Sequence, residues 1–323
     1  MGAGSSTLGA DGECGETSLG DMPESCVAAV LLYLDPPEIC QVARLNRAFR
    51  DAASADCVWA GKLPANYRYL AALAAAADDE CHGDGDANDK RFFLSATKKE
   101  IYARLCRPTF FDSGKKEFWI QKNKGGLCMC ISSKVMTITG IDDRRYWSHL
   151  PTEKSRFHTV AYLQQIWWLE VDGELEFCFP AGSYSVYFHL HMGRPYRRMG
   201  RRLCATEHVH GWDVTPTRFQ LLTSDEQQAT SEYYLHEQGG WKLYYVGDFD
   251  ISNSDELVKL KFSMMQIDCT HTKGGLCVDS VFIYPEGYKP EKANIVRNSA
   301  CNSADSVVYL QQAERGGSSN WNG

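Results

Sequence analysis

Near Phe118 the spacing of apolar residues changes from three-to-four to two, which divides the chain into a helical part and a strand part. The alternation is clearest from Trp167 to Phe179. Trp167, Leu169, Val171, Leu175, Phe177 and Phe179 take the odd positions, and Glu170, Asp172, Glu174 and Glu176 take the even ones. A strand sends alternate side chains to opposite faces, so the odd set reads as core and the even set as a solvated face. On this reading Trp167 is core and Trp168 faces out. Gly173, the one gap in the apolar row, reads as a bend or bulge. A second alternation, Tyr184, Val186, Phe188 and Leu190, follows, with further strands near residues 219–222, 241–246, 258–262 and 278–284. Short strands at this spacing predict an antiparallel β-sandwich of jelly-roll type, hence an α+β, mainly β, chain with its helices at the N-terminus.

Residues 19–64 carry the helices. Asp21, Pro23 and Glu24 make a capped start, followed by Val27, Val30, Leu31 and Leu34 at helical spacing. Asp35 and Pro36 open a second helix bearing Ile39 and Val42. A third holds Leu45, Ala48 and Phe49, and a fourth Val58, Trp59 and Leu63. So short a segment has more large apolar side chains than it can enclose, which predicts an exposed patch awaiting a partner. Pro23, Leu31, Leu34, Ile39, Leu45 and Trp59 are the candidate anchors of that patch.

Residues 1–18 and 286–323 are polar and read as disordered tails, with 65–115 as a helical and acidic linker and 116–285 as the β domain. Lys98 to Cys106 within the linker reads as a helix bridging the two domains. Gly2 and Ser6 fit the N-myristoylation pattern, with a chance match in a flexible tail as the alternative. A net charge of −7 argues against a nucleic-acid partner. No apolar run is long enough to span a membrane, and no secretory signal is evident. The 13 cysteines are odd in number and scattered, so they read as reduced thiols. Cys26, Cys40 and Cys128 read as packed in helices or a strand, and Cys128 and Cys130 share one strand face.

The Pro23-Glu24 start, the Leu31–Leu34 run into Asp35-Pro36, the Leu45-Asn46 turn with Phe49, and Trp59 together resemble an F-box. That resemblance implies docking on a Skp-type adaptor, and through it a cullin, in an SCF ubiquitin ligase. Residues 116–285 resemble the phloem protein 2-like (Nictaba-type) lectin domain. The matching stretches are Thr137-Ile138-Thr139 to Tyr146-Trp147, Val160 to Leu163 through Trp168-Leu169-Glu170, Gly240-Trp241 to Gly247-Asp248-Phe249, and Gly275-Leu276 with Val278-Asp279. The whole chain is similar to plant F-box proteins of the phloem protein 2 type. This implies binding of N-acetylglucosamine-type glycans or glycoproteins without catalysis or cofactor, in nucleus and cytoplasm.

Sugar binding needs an aromatic face for ring C–H groups and a few fixed polar groups for hydroxyls. Tyr146, Trp147, Trp168 and Glu170 are the candidates. Trp147 equally suits a structural plug, and Gly140 and His149 stand where the lectin family implies tryptophans. The acidic row suggests a glycosidase carboxylate pair as a lesser alternative. His208, His210 and His271 fall short of a four-ligand zinc set, so no metal is expected. Arg194, Arg197, Arg198, Arg201 and Arg202 form a basic cluster, read as a charged hairpin loop. No phosphate-loop, nucleophile-elbow or metalloprotease motif occurs.

Overall fold

The computed structural model describes residues 22–81, 93, 95–194, 209–235, 240–290 and 294–297. Gly2, Asp21, His208, the arginines from Arg197 to Arg202 and nearly all of the two tails lie outside the described residues.

Helix α1 (Glu24–Leu31) starts after Pro23, whose fixed φ suits the cap position. Helix α2 (Pro36–Val42) starts after Asp35, whose N–H donates to Glu38 Oε2 at 2.8 Å. Helix α3 (Arg47–Ala52) is capped by Asn46, whose Oδ1 accepts from Phe49 N at 2.9 Å. Helix α4 (Asp56–Ala60) then carries Val58 and Trp59 inward. Two longer elements follow, α5 (Tyr67–Cys81) and α6 (Lys98–Leu105). They cover part of the apolar surface that the first four helices leave open.

The β region has two sheets. The larger runs β1 (Thr109–Phe111), β2 (Lys116–Ile120), β3 (Leu127–Ser132), β13 (Leu276–Pro285), β8 (Gly182–Met192), β11 (Trp241–Ile251), β14 (Asn294–Val296). Beside β3, β13 also pairs β6 (Thr159–Leu163), which pairs β5 (Trp147–Pro151). The smaller has the order β10 (Gln228–Tyr233), β9 (Thr217–Thr223), β12 (Val258–Gln266), β7 (Leu169–Phe177), β4 (Thr137–Ile138). Neighbours are antiparallel except β11 and β14. Phe188 of the larger sheet meets Phe219 and Phe262 of the smaller edge-to-face, at centroid distances of 5.4 and 5.9 Å. The inward rows predicted for β7 and β8 are buried here, as period-two patterning requires.

Several expectations are corrected. The stretch 65–115 is more than a linker: α5 and α6 pack, and β1 already belongs to the larger sheet. Strand β14 lies in the supposed disordered tail and pairs β11. Strand β7 begins at Leu169, and Trp167 and Trp168 sit on a bend, so strand alternation does not bury Trp167. Gly173 is no bulge, because β7 and β12 stay in register across it. Cys26 and Cys40 face solvent on their helices, whereas Cys128 and Cys130 are buried side by side. Burial pushes both of those thiols far up, so they stay protonated.

Helix α6 does bridge to the β region. Tyr102 packs on Trp59 with centroids 5.3 Å apart, and its hydroxyl donates to Gln121 O at 3.0 Å. Asn66 Nδ2, just before α5, donates to Cys178 O at 2.8 Å. Gly125 (φ +69°) lies so near Lys62 O that a Cβ would come to 2.6 Å from it. The helices and the strands therefore share one core.

On the outer face of the larger sheet, His191 is half-buried beside Trp241 (5.1 Å), with Nδ1 3.0 Å from Gly193 O. Burial holds its pKa below the usual value, and nearby His189 pushes the same way, while the bond to Gly193 O opposes them. The unfolded chain takes up a proton near neutral pH where folded His191 resists it. Stability therefore falls as pH drops through that window. We expect the urea midpoint to decline from about pH 7 to about pH 5.5, with a shallower slope for His191→Asn.

Candidate functional site

Two surfaces hold the candidate residues. On the helices, Leu31, Ile39 and Trp59 turn inward and are buried, against expectation for anchors. Trp59 Nε1 donates to Ala53 O at 2.7 Å, so the ring is tied to the core at its polar end as well. Leu34 is half-buried, while Pro23 and Leu45 are exposed. Tyr33 at 90% and Leu45 at 70% relative exposure stand out furthest, with Val30 and Leu32 also open. Sequence spacing placed Val30 on the packed side and passed over Tyr33 and Leu32. The turn after α1 is held by Lys62 Nζ, which donates to Leu32 O at 2.6 Å. The helices thus present apolar side chains from a fixed turn.

The second surface is one end of the β region, where 139–146, 164–168 and 267–275 join the strands. Thr139 N donates to Glu170 O at 3.0 Å, and Gln164 N to Tyr146 O at 2.7 Å, so the first two segments are stitched together. Ile166 and Lys273 exchange backbone bonds of 2.8 Å, which adds the third. Trp147 does not line this surface. It is 1% exposed, and its Nε1 donates to Thr139 O, as the structural alternative requires. Tyr146 is open, with its ring over Gly140 (φ +73°), where a Cβ would come within 3.1 Å of Tyr146 Cδ2. Arg145 lies 5.5 Å over that ring and is fixed by a two-pronged bond to Asp143. That bond holds the Asp143 carboxyl below the usual range.

Trp167 and Trp168 stand exposed beside each other on their bend, at 53% and 45%. Trp168 Nε1 donates to Glu170 Oε2 at 3.3 Å. The bend is pinned from below by Lys273, whose side chain is wholly buried and whose Nζ donates to Trp167 O and Asp268 O. Burial lowers the pKa of this lysine. A lysine in a loop reads as solvated, so no sequence signal marked it.

A lysine engages the outer end of the acidic row. Lys259 Nζ lies 2.6 Å from Glu174 and 3.6 Å from Glu176, and its bond to Glu174 holds that carboxyl down. His271 Nε2 is bonded to Gly211 O at 2.9 Å, and His210 Nε2 to Thr272 Oγ1 at 3.2 Å. Among the described residues no three His, Cys, Asp or Glu side chains are grouped to hold a metal.

An exposed apolar helical surface is thus joined through one core to a two-sheet domain with aromatic loops, which defines a two-part α+β protein. The phloem protein 2 family profile matches residues 126–285. F-box protein PP2-A13 of Arabidopsis thaliana is 55% identical over 267 residues, covering 82% of this chain and 88% of that protein. F-box protein PP2-A15 of the same plant is 51% identical over 300 residues, covering 89% and 95%. Solved structures align only loosely, as with a Podospora anserina beta-(1,4)-mannanase at TM-score 0.29 and 6% identity over 51% of this chain and 29% of that one. The chain belongs to the plant F-box proteins of the phloem protein 2 family.

Proposed function

We propose that this protein is the substrate-recognition subunit of an SCF ubiquitin ligase. The helices dock on a Skp-type adaptor, and through it a cullin, by Pro23, Leu34 and Leu45 together with Val30, Leu32 and Tyr33. Leu31, Ile39 and Trp59 shape that surface from inside. The β region acts as a lectin-type sandwich that holds a glycoprotein, with Tyr146, Trp167 and Trp168 against sugar rings and Glu170 accepting hydroxyls. The protein supplies proximity and no bond-making group. The observation that carries this reading is the set of large apolar side chains left open on the first helices, Tyr33 and Leu45 above all. A solvated tyrosine and leucine contribute little to folding, and such side chains at the centre of an interface carry most of its energy.

The test is affinity purification of the full chain, with and without N-acetylglucosamine oligomers. Adaptor and cullin should co-purify in both cases, and a set of glycoproteins should be lost on competition. Absence of the adaptor sinks the ligase role. Retention of every glycoprotein under competition sinks the lectin role.

A further inference from the structure

Apart from β14, strand β11 is the last of the larger sheet, and an open sheet edge is a template for pairing with another chain. Side chains of the smaller sheet close part of this edge. Ser231 Oγ and the Tyr233 hydroxyl both donate to Tyr245 O, at 2.7 and 2.8 Å. The Gln227 amide donates to Asp250 O and accepts from Asp250 N, at 2.8 Å each. The stretch before Tyr245 is covered differently. There Asn294, Ile295 and Val296 of β14 run parallel beside Lys242, Leu243 and Tyr244. Three residues is the short limit for a strand, so little main-chain pairing holds this segment in place.

The side chains of the segment show what fits there. Ile295 packs on the outer-face cluster that includes Tyr187 and Leu243, while Val296 turns to the shared core. Two positions after Ile295, Arg297 returns to the outer face. Its Nη2 donates to the Tyr187 hydroxyl at 2.5 Å, and its guanidinium lies 4.6 Å over the Tyr245 ring. Tyr187 and Tyr245 meet edge-to-face at 5.6 Å. Asp248, which accepts from Ser185 Oγ at 2.6 Å, brings a negative charge that acts on the guanidinium. Two rings, a hydroxyl acceptor and a carboxylate make a cradle for a planar cation. Strand alternation sets the apolar contact and this cradle two residues apart, as an extended docked chain requires.

We propose that the Lys242–Tyr244 edge of β11 is a docking site for an extended segment of a partner protein, and that residues 294–297 fill it until that partner arrives. The partner segment carries a branched apolar residue and, two positions on, an arginine. Backbone pairing supplies its affinity and the two side-chain contacts supply its specificity, as in other cases of strand addition. A tethered occupant is present at an effective concentration on the order of millimolar, so only a segment with matching side chains displaces it. A lipid or nucleic-acid surface has no strand to add, and Asp248 repels phosphate. The site requires neither adaptor docking nor sugar binding.

The experiment is a fluorescence-anisotropy titration of a labelled peptide with the sequence of residues 291–299, Glu-Lys-Ala-Asn-Ile-Val-Arg-Asn-Ser, against the full chain. The chain is used unsubstituted and as Ile295→Asp with Arg297→Glu. The double substitution disables the resident segment and leaves the site itself unchanged, so the peptide should bind it about tenfold or more tighter than the unsubstituted chain. Arg297→Ala or Ile295→Asp made in the peptide should each weaken binding by about tenfold, and the protein is then unaltered, so misfolding cannot cause the effect. Tyr187→Phe, added to the double variant, removes the acceptor of the arginine and should also cost about tenfold. A peptide of unrelated sequence that keeps only the isoleucine and the arginine two positions on should bind with comparable affinity. No binding by the double variant, equal binding by the two chains, or indifference to the arginine or to Tyr187 overturns the site. Failure of the unrelated peptide confines the edge to its own segment and overturns the partner. A dimer of the unsubstituted chain that dissociates in the double variant makes the occupant a second copy and overturns it as well.

Discussion

A double substitution, Tyr33→Asp with Leu45→Asp, should leave the unfolding midpoint near that of the unsubstituted chain and abolish adaptor capture. Both side chains stand in water, at 90% and 70% exposure, so folding loses little by making them polar. Surface changes of this kind usually fall within about 0.5 kcal/mol. At an interface centre, each truncated anchor costs about 2 kcal/mol or more, roughly a 30-fold loss of affinity. Leu31→Ala should do the reverse. Leu31 is fully buried in the core that the helices and strands share, and removing its side chain from a packed core costs about 2–5 kcal/mol. Its midpoint should drop clearly, while the protein that remains folded still captures the adaptor. The measurements are thermal unfolding by circular dichroism and a pull-down on purified adaptor. Capture by the double variant at the level of the unsubstituted chain would falsify the docking surface proposed here.

These contrasting residues mark where the sequence was legible. The start of α2 was readable because a cap is local chemistry: Asp35, Pro36 and Glu38 sit within one turn of each other, whereas α1 takes Pro23 itself as its cap position and α3 begins only after Asn46. The strands of the β region were readable because alternation identifies which side chains share a face. Which side of a short helix faces the core was not. Helices α1 to α4 are apolar on several sides, and only their packing on one another and of Trp59 on Tyr102 of α6 separates the buried Leu31, Ile39 and Trp59 from the open Val30 and Leu45. The aromatic end of the β region was half legible. Tyr146 and Trp168 are open, but Trp167 is open because a backbone bend pinned by Lys273, 106 residues away, ends the alternation. Contacts of such separation leave no local pattern.

Gly173→Ala should be among the most damaging single-methyl additions in the β region, and Phe262→Leu should rescue it. Gly173 and Phe262 are directly paired on the inner face, and the phenyl ring occupies the space a side chain at 173 would take. A Cβ at position 173 would stand 2.0 Å from Phe262 Cε2 and 2.3 Å from its Cζ, far inside contact distance. The ring cannot easily swing away, because Phe188 of the other sheet packs on it edge-to-face at 5.9 Å. Overpacking of a dense core costs about 1–3 kcal/mol and sometimes more, and this clash sits in a central pair of strands. We therefore expect Gly173→Ala to lower stability by about 3 kcal/mol, and Phe262→Leu alone by about 1–2 kcal/mol through lost packing. The double variant should be more stable than Gly173→Ala, giving a coupling of about 1–3 kcal/mol between directly touching groups. Urea unfolding of the four proteins closes the cycle. If the two losses simply add, the glycine is there for a backbone reason, as a bend would require, and the ring has no part in it.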